Sequence, residues 1–61
     1  MFGWLVGQKG EVVSWSQKSG KVYIGGEHWE ATGEREFSPG EKIKVVESTG
    51  DLVVKVSDYD G

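Results

Sequence analysis

His28 is the only histidine among the 61 residues, and the chain contains no cysteine. A serine-type catalytic triad would need this histidine beside an activated serine and an orienting acid, and a metal site would need further ligands at suitable spacing. The sequence around His28 shows neither pattern. We therefore interpret His28 as a surface residue of a strand, and we expect no enzyme activity, no cofactor and no metal site.

Acidic residues cluster around the third predicted strand and the loop after it, and they are Glu27, Glu30, Glu34 and Glu36. A glycosidase needs a cleft between its two carboxylates, and a chain of this length is too small to build one. The acids are better interpreted as a solvated face that could dock a basic partner weakly.

Outward-facing aromatic residues are the stronger functional signal. The alternation of the predicted strands places Trp15 and Tyr23 on the outside, with Tyr23 opposite His28. Such residues can bind a protein partner or stack on single-stranded nucleic acid, while Trp15 could instead cover an open end of a barrel. We predict Trp15, Tyr23 and His28 as partner-binding residues.

The charge balance weighs against nucleic acid as that partner. Seven basic and ten acidic residues give a net charge of −3, whereas nucleic-acid binding normally depends on lysine and arginine neutralising phosphates. No apolar run reaches the ~20 residues that a membrane-spanning helix needs. A protein partner is the favoured hypothesis, and a domain that binds single-stranded nucleic acid or oligosaccharide is the alternative.

Ten glycines and one proline divide the chain into five short segments rich in valine and isoleucine, and no segment has helical periodicity. Gly25-Gly26 predicts a two-residue hairpin turn. The pairs that this turn sets opposite each other are Ile24 and Glu27, Tyr23 and His28, Val22 and Trp29, and Lys21 and Glu30. The aliphatic–aromatic pair and the opposite-charge pair both favour this register.

Alternation also predicts the core. The residues expected to point inward are Val12, Val22, Ile24, Trp29, Ala31, Ile43, Val45, Leu52, Val54 and Val56, with Leu5 and Phe37 as plugs. The sequence therefore predicts an all-β fold, a small five-stranded OB-fold-like barrel with tight turns at 18–20, 39–40 and 48–51. We expect an N-terminal tail or linker from a membrane segment at 1–4, the barrel at 5–56 and a C-terminal tail at 57–61.

Short motifs recur in a fixed order along nearly the whole chain. They are Leu5-Val6-Gly7, Gly10-x-Val12-x-Ser14, Gly20-Lys21-Val22, Gly26-Glu27-x-Trp29-x-Ala31, Phe37-x-x-Gly40-x-x-Ile43-x-Val45-Val46 and Gly50-x-Leu52-x-Val54. This series resembles the C-terminal OB-fold domain of NfeD-like membrane proteins. The chain departs from the family pattern at Ser16, where an apolar residue is usual, and at Lys18, where proline is usual.

The resemblance implies a non-catalytic protein-interaction module on a soluble side of a membrane-anchored parent. It also implies a stomatin- or flotillin-like partner and a role in membrane protein quality control. A carrier domain of the biotinyl or lipoyl type is a third, less favoured hypothesis. Such domains need a modifiable lysine at a hairpin tip, where this chain has Thr49-Gly50.

Overall fold

A computed structural model describes residues 3–48 and 52–59 of the chain. It begins with a short 3-10 helix (Gly3–Leu5), followed by the strands β1 (Lys9–Ser16), β2 (Ser19–Ile24), β3 (Glu27–Thr32), β4 (Lys42–Ser48) and β5 (Val53–Asp58). The strands close into a barrel in the order β1-β2-β3-β5-β4, in which β3 and β5 are parallel. The predicted all-β, five-stranded barrel is confirmed.

The barrel interior contains every residue predicted to point inward except Leu52. The side chain of Leu52 is 63% exposed, so its prediction as a core residue is wrong. Alternation fixes the direction of a side chain only within a paired strand, and Leu52 lies at a bend one residue before β5 begins. Leu5 and Phe37 are buried, as expected of plugs.

The β2–β3 hairpin has the predicted register at every position from Ile24–Glu27 to Lys21–Glu30. Gly25 and Gly26 have φ values of 60° and 92°, a left-handed conformation that glycine adopts without steric cost. The ammonium group of Lys21 lies 3.6 Å from a carboxylate oxygen of Glu30. Local turn chemistry therefore determines the orientation of each outer residue on this hairpin.

A β-bulge in β1 changes the side-chain alternation beyond Val12. Val12 lies opposite Val22, but Ser14, rather than Val13, lies opposite Lys21. One extra residue in a strand reverses the facing of every residue after it. Trp15 consequently turns inward and packs against the core, so the prediction that it faces outward is wrong.

The remaining turns and ends agree with the sequence to different degrees. Ser38 and Glu41 close the expected turn through a 3.0 Å hydrogen bond from the Glu41 N–H to the Ser38 carbonyl. The first turn is at 17–18 rather than 18–20, and β5 extends to Asp58. Thr49-Gly50, most of the expected turn at 48–51 and both chain ends lie outside the described residues. The division into 1–4, 5–56 and 57–61 stays a prediction.

No helix within residues 3–48 and 52–59 is long and apolar enough to cross a membrane.

Candidate functional site

The outer face of the β2–β3 hairpin carries Tyr23 and His28 side by side. They are cross-strand neighbours, and their ring centroids are 4.9 Å apart in an edge-to-face arrangement. Tyr23 is 45% exposed, and His28 is exposed as well. The register thus brings together two of the three residues predicted from the sequence to bind a partner.

Shallow depressions flank this aromatic pair on both sides. On the Tyr23 side, a depression of about 240 Å³ is lined by Lys9, Gly10, Glu11, Tyr23, Gly25 and Lys42. On the His28 side, a depression of about 300 Å³ is lined by Lys21, Glu27, His28, Trp29, Glu30 and Leu52. Both combine charged and apolar groups at the surface, as protein-binding surfaces do, and neither encloses a reacting centre.

Trp15, the third predicted residue, does not join this surface. It lies half-buried at one end of the barrel, where its ring meets Phe37 edge-to-face with centroids 4.9 Å apart. Its indole N–H donates a 2.7 Å hydrogen bond to the carbonyl oxygen of Gln17. These contacts favour the alternative that the sequence left open for this residue, in which Trp15 covers an open end of the barrel.

The 3-10 helix packs against β4, and it carries an exposed apolar residue outside the Tyr23–His28 surface. Trp4 is 59% exposed and touches Trp29 edge-to-face at 6.4 Å between centroids. Leu52 lines the same depression as Trp29. The exposure of Leu52 depends on where β5 begins, and no signal in the sequence marked that boundary.

Arg35 joins the loop after β3 to the end of β5. Its guanidinium donates a 2.8 Å hydrogen bond to Glu41 and further hydrogen bonds to Asp58, and it lies 4.0 Å from the centre of the Phe37 ring. The hydrogen bonds to Glu41 and Asp58 raise the pKa of Arg35. This cluster fixes the loop that carries Phe37 into the barrel end.

Glu41 is the acid-sensitive member of this cluster. The hydrogen bond from Arg35, followed by a 2.7 Å bond from the Ser38 backbone N–H, lowers the pKa of Glu41 below its ordinary value of 4.5. A lowered pKa in the folded chain contributes stability that is complete above the ordinary value and is lost as the pH falls through the folded-state pKa.

Replacing Arg35 with methionine should therefore weaken the pH dependence of stability below pH 4.5. The measurement is the urea midpoint of unfolding between about pH 6 and pH 2.5. Lys21→Met is the matched control, because it removes an exposed pair with Glu30 on the β2–β3 hairpin. Equal acid dependence in Arg35→Met and the unmodified chain would contradict the assignment.

The described residues contain no group of three His, Asp or Glu side chains that could hold a metal ion. Within the same ranges, the ring of His28 contacts the ring of Tyr23.

Comparisons with known proteins point in the same direction. The family model for the NfeD-like C-terminal, partner-binding domain matches residues 3–57. One similar solved structure is the C-terminal domain of stomatin operon partner protein 1510-C from Pyrococcus horikoshii. Its TM-score is 0.84 at 29% identity, with 93% of this chain and 91% of that chain covered.

A second similar structure is the soluble domain of a membrane protein implicated in regulation of membrane protease activity, from Corynebacterium glutamicum. Its TM-score is 0.79 at 29% identity, with 88% of this chain and 90% of that chain covered. The comparison with curated proteins found no significant match.

Proposed function

The chain belongs to the family of NfeD-like C-terminal, partner-binding domains, and from this premise we propose that it is a non-catalytic module that docks a protein partner. The family match over residues 3–57 is the observation that carries the proposal. The small barrel supports it, because the interior of the described part is filled by apolar side chains.

The partner in this proposal is a stomatin- or flotillin-type protein. The support is that a structure similar over 93% of this chain belongs to a stomatin operon partner protein. The setting is a membrane-anchored parent that takes part in membrane protein quality control, in keeping with the second similar structure, a soluble domain of a membrane protein.

The docking surface in this proposal is the outer face of the β2–β3 hairpin, centred on Tyr23 and His28. An exposed tyrosine held by a neighbouring ring loses little conformational entropy on binding, which is why such residues dominate many interfaces. Nucleic acid or oligosaccharide is not favoured. The aromatic pair that suggested stacking, Trp15 and Tyr23, is divided between the inner and outer faces of the barrel wall.

A binding titration tests the docking function. The purified domain is titrated by calorimetry against the soluble region of a stomatin-type protein. Replacing both Tyr23 and His28 with alanine should weaken binding at least tenfold, because truncating an aromatic hot spot costs about 2 kcal/mol or more. The fold should persist, since both side chains are exposed.

Thr32→Ala is the matched control, because Thr32 is an exposed residue at the far end of β3. It should bind as the unmodified domain does. Unchanged binding by the folded double variant would reject the Tyr23–His28 surface, and absence of any binding by the unmodified domain would reject the stomatin-type partner.

A further inference from the structure

The outer face of β1 and β4 carries two lysines directly opposite each other. The register pairs Lys9 with Lys44, and pairs Glu11 with Lys42 one step along the ladder. Lys42 and Glu11 form an ion pair at 3.1 Å. Lys9 and Lys44 have no acidic partner within residues 3–48 and 52–59, and like charges at directly opposed positions destabilise a sheet.

This arrangement differs from that of the other strand lysines. Lys21 pairs with Glu30, and Lys55 pairs with Glu34. Together, the two cross-strand pairs Lys9–Lys44 and Glu11–Lys42 carry a net charge of +2. The whole chain has a net charge of −3, so the rest of the chain carries −5. Like charges at opposed positions violate a rule of sheet stability, and such violations are expected at functional sites.

Aromatic residues border the lysines on both sides. Lys9 lies 5.0 Å from the centre of the Tyr59 ring, and Tyr59 is 37% exposed. On the other side, Tyr23 shares a depression with Lys9 and Lys42. Lys9 thus lies between two exposed tyrosines and opposite a second lysine, an arrangement that suits carboxylates flanked by apolar or aromatic side chains.

We propose that the face around Lys9 and Lys44 binds an acidic segment of a protein partner, with carboxylates bridging the two ammonium groups. The inference rests on the proposed docking function and extends its surface from Tyr23 across β1 to β4. Each strand already has a neighbour on both sides in the closed barrel, so the segment binds through side chains and not as an added strand.

An anionic membrane surface is a less suitable ligand for Lys9 and Lys44 than an acidic protein segment. Each lysine near such a surface contributes only about 1 kcal/mol, and the −5 charge on the rest of the chain opposes approach. The compact pair of lysines is matched to a few carboxylates of one segment.

Because Lys9 and Lys44 are like charges at opposed positions, one substitution should affect stability and binding in opposite directions. Lys44→Glu leaves Lys9 over Tyr59 and converts the opposed like charges into an opposed lysine–glutamate pair. The variant should melt a few degrees higher than the unmodified domain. It should nevertheless lose binding to an acidic segment, so stability and binding change in opposite directions.

The probe is a fluorescein-labelled 12-residue peptide rich in aspartate and glutamate with one central tryptophan, followed by fluorescence anisotropy at 50 mM salt. The unmodified domain should bind it, and binding should weaken about tenfold or more at 500 mM salt. Lys44→Glu and Lys9→Glu should each weaken binding at least tenfold. A peptide with lysine at the acidic positions should not bind.

Lys55→Glu is the matched control, since it makes the same charge change on a lysine that already has an acidic partner and lies outside the depressions beside Tyr23 and His28; its binding should stay within twofold. Asp60 follows Tyr59 outside the described residues, and Asp60→Asn should bind the peptide equally or more tightly. Equal binding by Lys44→Glu and the unmodified domain would overturn the proposal. So would binding to vesicles rich in phosphatidylglycerol without binding to the peptide.

The experiments distinguish failure of the stomatin-type docking proposal from failure of the Lys9–Lys44 proposal. If a stomatin-type partner binds through Tyr23 and His28 and is indifferent to Lys44→Glu, the docking function stands and the lysine surface is rejected. If that partner does not bind while the acidic peptide does, the lysine surface stands and the stomatin-type partner is rejected.

Discussion

Replacing Trp15 with alanine should cost the domain about 2–4 kcal/mol of its unfolding free energy. A chain of this length has roughly 3–9 kcal/mol in total, so at the low end of that range a large fraction of the molecules would be unfolded at room temperature. The loss has two sources. The substitution removes the edge-to-face contact with Phe37 and the hydrogen bond to the Gln17 carbonyl, and it opens the barrel end to water.

Urea unfolding followed by circular dichroism measures this effect. Trp4→Ala is the matched control, because Trp4 is also a tryptophan in contact with one aromatic ring but is 59% exposed. It should cost less than about 1 kcal/mol. Trp15→Phe should fall between the two, since it keeps an aromatic ring over Phe37 and loses the hydrogen bond. A Trp15→Ala midpoint equal to that of the unmodified domain would contradict this role.

The same prediction affects how binding experiments are interpreted. Loss of partner binding in Trp15→Ala would report unfolding and not the loss of a contact residue. Tyr23 and His28 are free of this ambiguity, because both are exposed and lie on the outer face of the hairpin. Binding variants of Trp15 are informative only at temperatures where the circular dichroism spectrum matches that of the unmodified domain.

The sequence was sufficient for the β2–β3 hairpin because the information that determines it is local. Two adjacent glycines set the turn, and counting outward from them gives each cross-strand pair, including Tyr23 with His28. The burial pattern was equally local, since strand alternation within β2, β3 and β4 identified the core positions. The fold class and the Tyr23–His28 part of the candidate surface therefore followed from turn chemistry and strand alternation.

Trp15 could not be placed from the sequence because its direction depends on a bulge at Val13. A bulge is stabilised by what the displaced side chain then contacts, and the partner of Trp15 is Phe37, which comes from a loop beyond two further strands. The opposed Lys9 and Lys44 were missed for a similar reason. They meet only through the β1–β4 pairing, whose register no local turn sets.

Replacing Gly20 with alanine should destabilise the domain by about 3 kcal/mol or more. Gly20 lies opposite Trp15 in the β1–β2 ladder. A Cβ added there would lie 2.2 Å from the Ser14 carbonyl oxygen and 2.7 Å from the Trp15 Cα. These are backbone atoms of the neighbouring strand, so the clash is relieved only by separating β1 from β2.

A pair of variants identifies the obstacle at Gly20. Ser19→Ala is the matched control; Ser19 is the exposed neighbour in the same strand, and its replacement should change the unfolding free energy by less than about 0.5 kcal/mol. The second variant combines Trp15→Ala with Gly20→Ala. Trp15 Cε3 lies 2.6 Å from the added Cβ, farther than the Ser14 oxygen, so Gly20→Ala should cost about as much in the Trp15→Ala background as in the unmodified domain.

A much smaller cost of Gly20→Ala in the Trp15→Ala background would show instead that the indole alone requires glycine at this position. An equal cost in both backgrounds would establish that the strands themselves approach too closely for any side chain. The second outcome is expected, because the bulge shifts Ser14 and Trp15 by one place and brings the β1 backbone against Gly20. In that case the bulge, the absent side chain at 20 and the inward Trp15 form one structural unit, and each is stable only in the presence of the other two.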